Sequence, residues 1–168
     1  ELLNDINKFI TDLYLLKGLR IKRVCLKENA KLRRLVVFAD ASQKVYSACC
    51  YLIGCTDADD EKPSCHLVFA KSRLTPSKQV LSIARAELMA ACLGTEIALE
   101  VCNALEYDMK DVIFFVDSRI VFCWLQRNDV TVFHTWVCNR LQSIFDLVHP
   151  KQFRWLAGIY NTADKLTK

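Results

Sequence analysis

The stretch Leu35-Val36-Val37-Phe38-Ala39-Asp40-Ala41-Ser42 decides how the chain folds. Five consecutive apolar residues, β-branched and aromatic side chains among them, predict a strand covered on both faces, and the run stops on an acid. Val112-Ile113-Phe114-Phe115-Val116 repeats the pattern and stops on Asp117, with Ser118 behind it. A carboxylate is costly to desolvate, so an acid at the end of a buried strand is paired, solvated in a cleft, or holding a cation. Two such strands laid side by side in parallel deliver both acids to one edge of a sheet.

Working outward, strands near 34–40, 45–54 and 65–72 are predicted to form an antiparallel meander, with turns at Ser42-Gln43-Lys44 and in the acidic loop from Thr56 to Ser64. Leu81 to Ala104 has no proline and repeats apolar residues at steps of three and four, which predicts a long buried helix with Glu87 in its first half. A strand at 111–117 follows. Next come a short helix from Ser118 to Arg127 with Ser118 as its cap, a longer helix over 131–148 ended by Pro150, and a last strand over 152–156. Asn161-Thr162-Ala163-Asp164 reads as a capped helix start with Asp164 in the first turn. A long helical crossover returns the chain in parallel by a right-handed connection, so Asp40 and Asp117 become neighbours, and the helices bring Glu87 and Asp164 to the same point.

With 168 residues, 52% of them hydrophobic, the chain suits one sizeable core. Residues 1–30 are expected to be an amphipathic helix and a basic linker. Leu2, Leu3, Ile6, Phe9, Ile10, Leu13 and Leu16 recur at helical spacing there, and the helix is expected to pack on this domain or a neighbour. Residues 31–168 form the main domain. No uninterrupted apolar run approaches the roughly 18 residues that span a bilayer and no leader precedes the helix, so a membrane association is not expected and the protein is placed inside the cell, in cytoplasm or nucleus. Starting at Glu1 and stopping at Lys168 where a helix begins, the chain reads as a segment of a longer polypeptide. Nine cysteines, an odd number set in apolar stretches and without zinc-site spacing, read as reduced core thiols. The net charge of +4 is mild, but Lys17, Arg20, Lys22 and Arg23, then Lys31, Arg33 and Arg34, cluster as a polyanion-binding face or an ordinary solvated surface does.

At its acid-bearing segments the chain resembles the ribonuclease H domain of reverse transcriptases, most closely the version in BEL/Pao-type LTR retrotransposons. The segments are Phe38-Ala39-Asp40-Ala41-Ser42, Ala70-Lys71-Ser72-Arg73-Leu74-Thr75-Pro76, Arg85-Ala86-Glu87-Leu88-Met89-Ala90-Ala91, Val116-Asp117-Ser118 with Trp124-Leu125, and Asn161-Thr162-Ala163-Asp164. The resemblance implies an α/β fold of the ribonuclease H-like type, a five-stranded mixed sheet of three antiparallel and then two parallel strands flanked by helices. It also implies a catalytic set of Asp40, Glu87, Asp117 and Asp164 binding two Mg²⁺ ions, with Mn²⁺ as substitute, that hydrolyses the RNA strand of an RNA/DNA hybrid. In that family pattern Asp40 bridges both ions, Glu87 and Asp117 complete one side, and Asp164 the other. Crowded carboxylates of this kind are tolerable only around cations. The implied partners are the hybrid and a reverse transcriptase polymerase domain in the same polyprotein.

Candidate substrate contacts flank the acids: Ser42, Gln43, Lys71, Arg73, Arg85, Ser118, Arg119 and Asn161. The chain departs from the family where Ser47 replaces a glycine, Ala157 and Thr162 replace prolines, and Trp155 replaces a histidine. Loss of that histidine implies slower turnover rather than a dead site, with His149 or His134 as possible replacements. Arg140, Trp124 and Trp136 read as residues packed beside the core. Two other readings stand against the nuclease: a domesticated, catalytically idle module that keeps the fold for nucleic-acid or protein binding, and a DNA-directed integrase or resolvase relative. The Asn-Thr-Ala-Asp ending fits the latter less well.

Overall fold

The computed structural model describes residues 2–20, 32–55, 63–76, 81–127 and 129–168. The stretch at 35–41 becomes the middle of β1 (Leu32–Ala41), which pairs antiparallel with β2 (Val45–Cys55). β2 pairs antiparallel in turn with β3 (Ser64–Leu74). On its other side β1 takes β4 (Ile113–Val116) in parallel, and β5 (Phe153–Trp155) lies parallel to β4. The sheet order β3-β2-β1-β4-β5 is the predicted mixed arrangement, three antiparallel strands followed by two parallel ones.

The crossover between β1 and β4 contains α2 (Ile83–Leu105), opened by the Ser82 hydroxyl accepting from the Arg85 amide and closed by Glu106 at φ 52°, in the left-handed region that ends helices. α2 lies across β1 and β2, and alternation turns Leu35, Val37 and Ala39 of β1 and Ala48, Cys50 and Leu52 of β2 toward it. Gly94 makes that approach possible, because a Cβ there would stand 3.2 Å from the Val37 side chain. α2 is long and apolar enough to cross a membrane, yet twelve of its residues are buried inside this fold. α3 (Arg119–Leu125) and α4 (Thr135–Phe145) pack on α2 and complete the core. On the opposite face of the sheet Phe38 stacks on Phe115 at 5.3 Å and meets Tyr51 edge-on at 5.9 Å.

Two expectations change in the structure, and a third is narrowed to one of its alternatives. The segment after Asn161 is a 3-10 turn, Thr162–Leu166, rather than an α-helix. Asn161 caps it as predicted, accepting from the Ala163 amide at 3.2 Å, but the same side chain donates to the Ala39 carbonyl at 2.9 Å and ties the turn tightly to β1. α4 starts at Thr135 rather than near 131, because Asp129 draws the Thr131 amide and hydroxyl into a local turn at 2.9 and 2.6 Å. α1 (Leu2–Leu15) forms where the apolar spacing predicts a helix, but none of its residues is buried, so the expected packing is not made with the described part of the domain.

The eight described cysteines are free thiols; Cys49, Cys50 and Cys102 are buried, as expected of core residues, whereas Cys65 and Cys123 are exposed and do not belong to the core. Of the basic cluster, Lys17, Arg20, Arg33 and Arg34 are exposed. Lys22, Arg23 and Lys31, like most of the acidic loop from Thr56 to Ser64, lie outside the described residues.

Candidate metal centre

The parallel pairing of Ala39 with Val116 sets the next residues, Asp40 and Asp117, at the same end of neighbouring strands. The first turns of α2 bring Glu87 over them. Each of the three carboxylates offers an oxygen within 4.8 Å of the others, with Asp40 and Glu87 only 6% and 8% exposed. Burial is the chief cause that pushes the Glu87 carboxyl up to about 9, and the charges of Asp40 and Asp117 add to it. Asp40 is raised for the same leading reason, with Asp117 and Asp164 adding, while a hydrogen bond from Thr167 opposes the shift. The Ala41 backbone amide favours ionisation of both Asp40 and Glu87, and is outweighed.

Three clustered oxygen donors without a histidine or thiol suit a hard divalent cation such as Mg²⁺ or Mn²⁺. Such an ion would offset both the burial and the neighbouring charges that otherwise hold a proton on Glu87. The residues present therefore fit the cofactor that the sequence implies.

Asp164 stands one step outside this group. Its carboxylate accepts from the Lys168 ammonium, and its charge is felt at Asp40. The neighbouring Thr167 hydroxyl donates to Asp40 itself. Neither Thr167 nor Lys168 carries a signal in the sequence that would have singled it out.

Two further residues crowd Asp117. The Trp155 indole donates to the Asp117 carbonyl at 2.8 Å, and a Cβ at Gly158 would stand 3.1 Å from its Oδ2. A lone glycine between the last strand and the last acid was the available sign of that close approach.

The predicted substrate contacts divide by what they already hold. Ser42 Oγ accepts from the Val45 amide at 3.2 Å and closes the β1–β2 turn, and Ser118 Oγ caps α3 by accepting from Val121 at 3.4 Å. Asn161 is buried with its amide engaged on Ala39 and Ala163. Arg73 pairs with Glu96 at 3.3 Å. Arg85 lies 5.3 Å from the Trp136 ring, which Arg140 covers from 3.5 Å. Arg119 stacks 4.5 Å from the Trp155 ring beside Asp117. Gln43 is exposed, and Lys71 is half-buried on β3. Trp124 and Trp136 are half-buried against the core, as expected. His134 and His149 are both exposed caps, accepting through Nδ1 from Trp136 at 3.4 Å and from Lys151 at 3.1 Å.

Solved structures share this fold at low identity. The N-terminal RNase H domain of Rv2228c from Mycobacterium tuberculosis, solved as a maltose-binding protein fusion, is 16% identical with a TM-score of 0.52, over 79% of this chain and 95% of that one. LC11-RNase H1, solved in complex with an RNA/DNA hybrid, is 13% identical with a TM-score of 0.50, over 80% of this chain and 93% of that one. No curated protein matches the chain. The family model described as the Pao retrotransposon-like RNaseH-like domain matches residues 1–118, a span that holds α1 and three of the four acids, and the chain belongs to that family.

Proposed function

We propose that the chain is a metal-dependent endonuclease that hydrolyses the RNA strand of RNA/DNA hybrids, as the ribonuclease H module of a retrotransposon reverse transcriptase or of a host gene derived from one. The observation that carries the reading is the meeting of Asp40, Glu87 and Asp117, from two strands and a helix, within 4.8 Å. In this reading residues 31–168 are the nuclease domain and residues 1–30 an attached helix and linker, with a polymerase domain in the same polyprotein as partner, in cytoplasm or nucleus. When bound, two Mg²⁺ ions, or Mn²⁺ in their place, lower the pKa of the attacking water and neutralise charge on the departing oxygen.

The chain's own residues do the rest. Asp40, Glu87 and Asp117 would hold the ions, with Glu87 in its carboxylate form. Asp164 completes the set once its carboxylate is released from Lys168. Gly158 leaves room for the Asp117 carboxylate, and Trp155 fixes the backbone beneath it. Arg119, Arg85, Lys71 and Gln43 present side chains to phosphates and sugars, while Ser42, Ser118, Arg73 and Asn161 shape the surface that carries them.

Incubating a labelled hybrid with Mg²⁺ tests the reading, with Asp117→Asn as control. The wild-type chain should cut the RNA strand and the variant lose at least about a hundredfold of that rate, in the range of one removed electrostatic contact. Equal cleavage by both, or by neither, counts against it. A second reading, an idle binding module, is favoured by one observation: Lys168 and Thr167 engage Asp164 and Asp40. Intact hybrid binding with no stabilisation by Mn²⁺ would select it.

A further inference from the structure

The turn after β5 carries two large apolar side chains where packing asks for none: Ile159 is 85% exposed and Tyr160 70%. The turn is nonetheless fixed in place. The Leu156 amide donates to the Val116 carbonyl at 3.1 Å, the Tyr160 and Asn161 amides close a 3-10 turn on Ala157 and Gly158 at 2.9 Å each, and Asn161 Nδ2 donates to the Ala39 carbonyl at 2.9 Å. Val116 and Ala39 are the residues immediately before Asp117 and Asp40. The tip therefore projects from the same sheet edge as the acid cluster, one residue beyond the glycine that touches Asp117.

Asp117 also adjoins a cation. Trp155, hydrogen-bonded to the Asp117 carbonyl, supports the Arg119 guanidinium at 4.5 Å, and the two line a mostly apolar hollow of about 240 Å³ with Phe122 and Cys123. An arginine pre-stacked on an aromatic ring suits a phosphate. An anionic cluster that gathers divalent cations suits a second phosphate. A rigid apolar tip beside two phosphate-seeking features matches a duplex groove, where phosphates alternate with the apolar faces of sugars.

We propose that Ile159 and Tyr160 form a wedge that enters the minor groove of the bound hybrid next to the cleavage position, with Tyr160 packing its ring on a sugar and Arg119 holding a neighbouring phosphate. This rests on the nuclease reading and adds a recognition element that the acids do not supply. A tenfold loss of affinity corresponds to about 1.4 kcal/mol of lost contact.

The test measures binding of a fluorescent hybrid by anisotropy with Ca²⁺ replacing Mg²⁺, for the wild-type chain, the double variant Ile159→Ser/Tyr160→Ser, and Tyr160→Phe. The double variant should bind about tenfold more weakly at unchanged melting temperature and unchanged Mn²⁺ affinity, and Tyr160→Phe should bind within about twofold of wild type, since the ring makes the contact. Double-variant affinity equal to wild type overturns the wedge while leaving the nuclease reading intact. A wild-type chain that neither binds nor cuts hybrids overturns both.

Discussion

Glu87 is a described carboxyl that the fold pushes far above its usual value, and it makes stability depend on pH. In the folded, metal-free chain its carboxyl keeps a proton to about pH 9, against a usual value of 4.5. Between those values the folded state binds more protons than the unfolded chain, so stability falls as pH rises, by at most about 1.4 kcal/mol per pH unit for one proton. Melting temperature in EDTA should therefore drop from pH 5 to pH 9, Glu87→Gln should flatten the curve, and millimolar Mn²⁺ should restore the wild type at the alkaline end. A flat wild-type curve in EDTA would show that burial and the neighbouring charges do not hold a proton on Glu87. Gly158 gives a second test at this scale. A side chain there meets Asp117 Oδ2 at 3.1 Å, so Gly158→Val should weaken Mn²⁺ binding by calorimetry about tenfold, as other disturbances around a ligand do, with little change in melting temperature. Asp40, Glu87 and Asp117 were legible in the sequence because each is an acid embedded in an apolar pattern. The hydrogen bonds of Thr167 to Asp40 and of Lys168 to Asp164 were not, since no periodicity reports where an exposed side chain near the last turn reaches.

Among elements, the 3-10 turn Thr162–Leu166 is the piece that carries Asp164, the proposed fourth acid. Asn161 holds it to β1 through Ala39. Ser47 holds it to β2 by donating to the Ala163 carbonyl at 3.3 Å, and Cys49 Sγ lies 3.5 Å from Thr162 Oγ1. Ser47 and Thr162 are two of the places where the sequence departs from the family pattern, and in the structure they lie in one patch that fastens the same turn. Asn161→Ala removes the cap and leaves the Ala39 carbonyl buried without its donor. That should cost about 2 kcal/mol and lower the melting temperature by roughly 6 °C at this chain length. A loss under 1 °C would mean the turn is held by other contacts. The strands were readable to within a few residues, because alternation and apolar runs report burial directly. Helix type at the end of the chain was not: an Asn cap followed by Ala and Asp fits α and 3-10 geometry equally, and the choice is made by the tie to β1. The start of α4 was misplaced for a related reason, as Asp129 captures residues that propensity alone assigns to the helix.

At the scale of the molecule, chain order alone brings the acids together. A strand that ends in Asp40, a long helical crossover that carries Glu87 and a parallel return to Asp117 leave little freedom in where the three carboxylates meet. That topology was legible because the 23-residue α2 between β1 and β4 is too long for a hairpin. The place of α1 was not legible, because an amphipathic stripe says that a helix packs without saying on what, and its apolar residues stay exposed here. Placing acids this close is tolerable when a cation joins them, so the most direct test is to locate one. Crystals soaked in millimolar Mn²⁺ should give an anomalous peak ligated by oxygens of Asp40, Glu87 and Asp117. An ordered site with no anomalous density among those three carboxylates would contradict the metal centre, and with it the nuclease.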